Sequence, residues 1–176
     1  MSLFILIGII GVLFIIFLKR PLIHMIGKDN KLVYKLKGAG WFQNHWLSGM
    51  FLFGLNAVFF FLTVLLLYML MYLLIPFVHL FVMFFAVIAS IYAWILINKA
   101  WKGTRSNRLK MGAVGSSFYI FLTCIFSFWL VNLKPSYPGD DTFMGAIGLI
   151  FAIIVTSIAF VACFIITSFS KEKEAN

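Results

Sequence analysis

Five stretches of this chain, residues 2–18, 46–75, 77–97, 111–133 and 142–169, contain no Asp, Glu, Lys or Arg. At 1.5 Å of rise per residue, an apolar run of about 20 residues crosses a hydrocarbon layer of about 30 Å. Such a layer offers the backbone no water to bond, so a spanning segment satisfies its own N–H and C=O groups as a helix. The runs therefore predict an all-α, polytopic membrane protein: a bundle of five transmembrane helices forming a single membrane domain over residues 1–176. Composition excludes a soluble alternative, because 64% of the residues are hydrophobic and 11% charged, against about 45–50% and about 25% in a water-soluble domain.

The cations orient the bundle. Residues 19–45 carry Lys19, Arg20, Lys28, Lys31, Lys35 and Lys37; residues 98–110 carry Lys99, Lys102, Arg105, Arg108 and Lys110; the tail carries Lys171 and Lys173. Only Lys134 falls in the remaining loop, 134–141. Lys and Arg concentrate in short cytoplasmic loops, so the expected topology is N-terminus outside, C-terminus cytoplasmic, with 19–45 and 98–110 inside and 134–141 outside. The first run is short, but Lys19 and Arg20 can snorkel to the headgroups and extend it. Its charges follow the apolar stretch, the reverse of a secretory leader, and it reads as a retained anchor. The expected location is the plasma membrane, and the excess of Lys over Arg with 22 Phe is the usage of an AT-rich bacterial genome.

The net charge of +9 calls for a partner. Nucleic acid is not expected, since neither basic loop is long enough to build a folded binding domain. Anionic headgroups are the expected partner, each juxtamembrane cation contributing about 1 kcal/mol near such a surface. The loop 19–45 has more texture than orientation requires. Residues 21–26 are apolar, 27–30 read as a turn, and Leu32, Val33 and Leu36 share one side of a short helix flanked by Lys31, Lys35 and Lys37. That is the pattern of a segment lying flat on a membrane. With Trp41, Phe42 and Trp46 at headgroup depth, the expectation is a collar whose Lys28, Lys31, Lys35 and Lys37 form a lipid or partner surface.

Catalytic chemistry finds little footing. His24 and His45 are expected at the inner surface and His79 near the outer one, so the three cannot share a metal or haem; His24 with His45 and Asp29 could form a surface metal site, but three unrelated interfacial histidines are the expectation. Cys124 and Cys163 lie in apolar runs, where free cysteine behaves as a small hydrophobe. Asp140 and Asp141 precede the fifth run, where a carboxylate satisfies free helix N–H groups. No charged residue lies within a span, whereas proton relays and most ion-coupled carriers place one at mid-membrane. No catalytic residue, cofactor or metal is expected.

The polar residues within the runs have two readings. Asn56, Thr63, Thr123 and Ser127 either line a polar path or make interhelical contacts; Asn56 is the most costly to leave without partners. Small residues recur at helical spacing in the fifth run, at Gly145, Gly148, Ala152, Thr156, Ala159 and Cys163. Such a stripe allows the close backbone approach that drives helix association in lipid. Shorter small-residue faces begin at Gly8 and Gly11, at Ala86, Ala89, Ser90 and Ala93, and at Gly112, Gly115 and Ser116. Phe61-Leu62-Thr63 recurs as Phe121-Leu122-Thr123, a faint suggestion of two parallel hairpins.

These features lead to a non-enzymatic integral membrane protein. It would act as an accessory, assembly, regulatory or self-protection subunit through helix packing and a basic cytoplasmic face, with another membrane protein or a second copy as partner. The alternative is a small oligomeric carrier or channel for an uncharged or lipid-like solute, with the polar residues along its path.

Overall fold

A computed structural model describes residues 31–73, 77–135 and 141–169. They form five α-helices, α1 (Lys31–Gly38), α2 (His45–Tyr72), α3 (Val78–Ala100), α4 (Arg105–Val131) and α5 (Phe143–Ser168), and a 3-10 turn at Gly40–Gln43. No strand occurs among the described residues. Helices α2 to α5 are each long and apolar enough to cross a membrane, the architecture of a multi-pass membrane protein. The first apolar run, with Gly8 and Gly11, lies outside the described residues, as do His24, Lys28, Asp140 and the tail.

The helices end where hydrogen bonding ends, and not where charge begins. The loop expected over 98–110 shrinks to Trp101–Thr104, because α3 runs on through Lys99 and α4 already starts at Arg105. Lys and Arg are good helix formers, so a cation marks where a helix leaves hydrocarbon without stopping it. Thr104 starts α4, its Oγ1 accepting from the Asn107 amide at 3.4 Å. Asn44 starts α2 in the same way, with Oδ1 accepting from Trp46 N at 3.0 Å. At α5, Asp141 Oδ1 accepts from Phe143 N at 2.9 Å, the capping role expected of this carboxylate. Phe77, just ahead of α3, has φ 65°, a left-handed conformation that costs a side chain with a Cβ about 1–2 kcal/mol.

The four long helices close a ring in which α2 packs on α4, α4 on α5, α5 on α3 and α3 on α2, with α4 the most intimately held. Glycines allow that intimacy. A Cβ at Gly115 would lie 2.7 Å from Leu52 Cβ, one at Gly49 would lie 2.9 Å from Val114 Cβ, and one at Gly112 would lie 2.9 Å from Thr167 Oγ1. The backbone of α4 thus touches α2 on one side and α5 on the other, as dispersion-driven association in lipid requires.

Burial is confined to one end of the ring. Among the described residues, α2 buries none beyond Asn56 and α3 none before Ala93; α4 buries none beyond Leu122 and α5 none before Thr156. The packed end is the one that carries Lys99, Lys102, Arg105, Arg108 and Lys110, and we call it the basic end. Toward the far end an open apolar groove of about 290 Å³ separates α2 from α3, lined by Phe59, Leu62, Thr63, Leu66, Val82, Phe85, Ala86 and Ala89.

Candidate functional site at the basic end

Three amides, stacked from the middle of α2 toward the basic end, hold the packed half together. The deepest is Asn56 on α2, which is fully buried. Its Nδ2 donates to Gly115 O on α4 at 3.0 Å and to Cys163 Sγ on α5 at 3.6 Å. Its Oδ1 accepts from Trp94 Nε1 on α3 at 2.8 Å and from Tyr119 OH on α4 at 3.5 Å. One side chain therefore bonds the other three spanning helices among the described residues, and both donors and both lone pairs of the amide are used. The partners also fix which way the amide faces, since a flip would set Nδ2 against the Trp94 N–H. A bare amide in hydrocarbon costs about 4–8 kcal/mol relative to water, so this full satisfaction is what permits an Asn at mid-helix.

The second amide is Asn98, buried on the last turn of α3. Its Nδ2 donates to the carbonyls of Ile166 and Thr167. The last carbonyls of a helix lack intrahelical partners, and Asn98 supplies one to the end of α5. The third is Gln43, in the 3-10 turn. Its Nε2 donates to Lys37 O at 3.4 Å and Ala100 O at 3.3 Å, while Oε1 accepts from Lys102 N at 3.0 Å. Gln43 so stitches α1 to the turn between α3 and α4. Phe42 beside it is fully buried, with its ring edge-on to Trp41, Phe51 and Trp101.

The stitching joins two basic segments that are remote in sequence. Lys31, Lys35 and Lys37 of α1 come onto the same end as Lys99, Lys102, Arg105, Arg108 and Lys110. Among the described residues the only acid is Asp141, which starts α5 at the far end. Arg108 is buried, and its Nη2 donates to Trp101 O at 3.2 Å, which braces the turn from beneath. Lys31, Lys35, Lys37, Lys102, Arg105 and Lys110 are exposed.

The collar forms a helix where its pattern suggests one, but its apolar residues divide. Val33 is buried and Leu36 packs on the core, so the apolar side of α1 faces α3 and the 3-10 turn. Leu32 and Tyr34 are left exposed. Gln43, bonded to both Lys37 O and Ala100 O, ties α1 to the end of α3. Of the four cations expected to form its surface, Lys31, Lys35 and Lys37 stand free of the packed face, and Lys28 lies outside the described residues.

The intramembrane polar residues scatter over different interfaces. Thr63 lines the α2–α3 groove and donates to Phe59 O of its own helix at 2.7 Å. Thr123 donates to Tyr119 O at 2.8 Å and meets Thr156 Oγ1 at 2.9 Å, a hydroxyl pair between α4 and α5. Ser127 is half-buried one turn further along α4. The small-residue stripe of α5 divides in two. Thr156 and Cys163 are buried and Ala152 and Ala159 half-buried, but Gly145 and Gly148 are exposed; nothing lies within 4 Å of a Cβ at Gly148, and only Leu133 lies near one at Gly145, at 3.7 Å. The two Phe-Leu-Thr triplets also differ, Leu122 being buried and Leu62 half exposed.

Sequence reasoning passed over Gln43, Trp94, Asn98, Trp101 and Tyr119, and read Arg108 as a loop cation where it is buried. A usable signal existed for Trp94 and Tyr119: buried Trp and Tyr seek a partner for N–H or O–H, and both sit at the depth of Asn56. Gln43 and Asn98 lay inside stretches read as loops. No family model, curated protein or solved structure matches the chain.

Proposed function

We propose that this protein is a non-enzymatic membrane subunit whose stitched basic end docks another membrane or envelope component, in an accessory, assembly, regulatory or self-protection role. The supporting observation is that Gln43 ties two separate basic segments into one face that, among the described residues, carries cations and no acid. A rigid face loses less side-chain and loop freedom on binding than a flexible loop does. The reading places that face in the cytoplasm, at the plasma membrane, against anionic headgroups. It also treats the polar side chains of the spans as joints: Asn56 bonds neighbouring helices and the Thr123–Thr156 pair bridges α4 and α5.

A second reading, a carrier for a lipid-like solute, draws on the α2–α3 groove, whose lining is apolar apart from Thr63. Photo-crosslinkers at Tyr34 and Lys102, both exposed, separate the two. In native membranes the docking reading expects one discrete protein adduct, lost in the Lys31→Glu, Lys35→Glu, Arg105→Glu triple variant. Saturable solute movement by the purified protein in proteoliposomes, with no adduct formed, would overturn it.

A further inference from the structure

We propose that the turn Trp101–Thr104 and the N-terminus of α4 form a binding site for a phosphate group, supplied by an anionic phospholipid headgroup. The inference deepens the docking reading and rests on it for the placement of this end at the membrane surface. The first four N–H groups of a helix have no intrahelical acceptor. In α4, Asn107 N bonds Thr104 Oγ1 and Arg108 N bonds Thr104 O at 3.0 Å, so the amides of Arg105 and Ser106 remain directed out of the helix start. A helix N-terminus with free amides attracts anions through both its donors and its dipole. The first turn of α4 holds no acidic residue to occupy them, and the exposed side chains of Lys102 and Arg105 flank it.

A second observation is independent of the helix. Trp101 is 1% exposed, and its Nε1 has no hydrogen-bond partner. The indole lies directly beneath Gly103, where a Cβ would fall 3.1 Å from Nε1 and 2.6 Å from Cζ2. A buried donor left unpaired costs about 1–3 kcal/mol, a cost that an acceptor oxygen at the turn would relieve. Arg108 holds the carbonyl of the same tryptophan, and the Gln43 bond to Lys102 N fixes the other side of the turn. The exposed Trp41 and Trp46 are side chains that favour headgroup depth, which puts the turn level with lipid phosphates. Arg offers a phosphate two parallel N–H donors, and Lys102 adds a point charge.

The test uses the full chain in zwitterionic micelles, titrated with dioctanoyl phosphatidic acid and followed by amide and indole resonances. Trp101→Phe identifies the indole signal. A saturable shift of that signal and of the Arg105 and Ser106 amides is expected. Arg105→Gln should weaken binding at least tenfold and Lys102→Gln several-fold, while Lys35→Gln, an equal charge change on α1, weakens it less than twofold. Inorganic phosphate at the same concentration should not saturate the signals; if it binds as tightly, the lipid source is overturned. Equal losses from Lys35→Gln and Arg105→Gln without an indole shift would overturn the site, leaving a diffuse basic face. If an acidic peptide shifts the signals and phosphatidic acid does not, the lipid assignment fails while the docking reading stands; no response to either would sink both.

Discussion

Asn56 and Thr63 stand about two turns apart on α2, yet they live in different surroundings. Asn56 is fully buried and bonds three other helices, whereas Thr63 borders an open groove and bonds the backbone of its own helix. The same contrast runs across the ring. Toward the basic end, glycines bring backbones together and amides use their full bonding capacity; toward the far end, Phe81, Phe84, Phe85, Phe121 and Phe128 are exposed. In lipid, separating two apolar helices carries no hydrophobic penalty. Among the described residues cohesion is therefore concentrated where close backbone contact or a polar joint supplies it, and most of both lie in one half.

The strongest way to break this contrast is to fill a glycine contact. Gly115→Ala would push α2 off α4 at Leu52, and a loss of about 2–3 kcal/mol is expected, read as a lower denaturant midpoint in detergent. Gly148→Ala should lose nothing and gain up to about 1 kcal/mol from helix propensity. Equal effects at the two positions would mean that the far half is packed as well.

Next comes the amide hub. Asn56→Ala leaves the Trp94 N–H without its acceptor, and a cost of about 1–2 kcal/mol is expected. Thr63→Val should stay within about 0.5 kcal/mol. A drop in protection of the α3 and α5 amides facing Asn56, seen by hydrogen exchange, would sharpen the point by showing that one side chain holds several helices.

Gln43→Ala removes three bonds at the surface of the basic end. We expect about 1 kcal/mol and faster exchange over residues 31–43, with α4 and α5 unaffected. The smallest change belongs to the far end: Phe77→Gly relieves the left-handed backbone and should raise stability by about 0.5–1 kcal/mol, visible as a small upward shift in melting temperature.

The spans were readable because charges are absent from them, but their packed faces were not. A helix that is apolar all round gives no contrast between the side that meets protein and the side that meets lipid. Gly112 and Gly115 were legible as small residues, yet nothing in their spacing assigns Gly112 to α5 and Gly115 to α2. Gly145 and Gly148 have the same spacing, yet among the described residues Gly145 meets only Leu133 and Gly148 meets nothing, because a small residue is as compatible with lipid as with a helix. The basic segments were visible one at a time; that they share a face depends on Gln43, an uncharged residue in a stretch without periodicity. The joint made by Asn98 was hidden for a related reason, since the cations after it drew the helix boundary too early.

The open groove between α2 and α3 has a mechanical consequence. The chain itself joins α2 to α3 beyond the groove, since only residues 73–77 separate them, so the pair is tied at both ends and can part only by bowing between two fixed points. A bow opens most at its middle, so the gap between Thr63 and Ala86 should follow the order of the surrounding acyl chains, wider under loosely ordered chains and narrower under stiff ones.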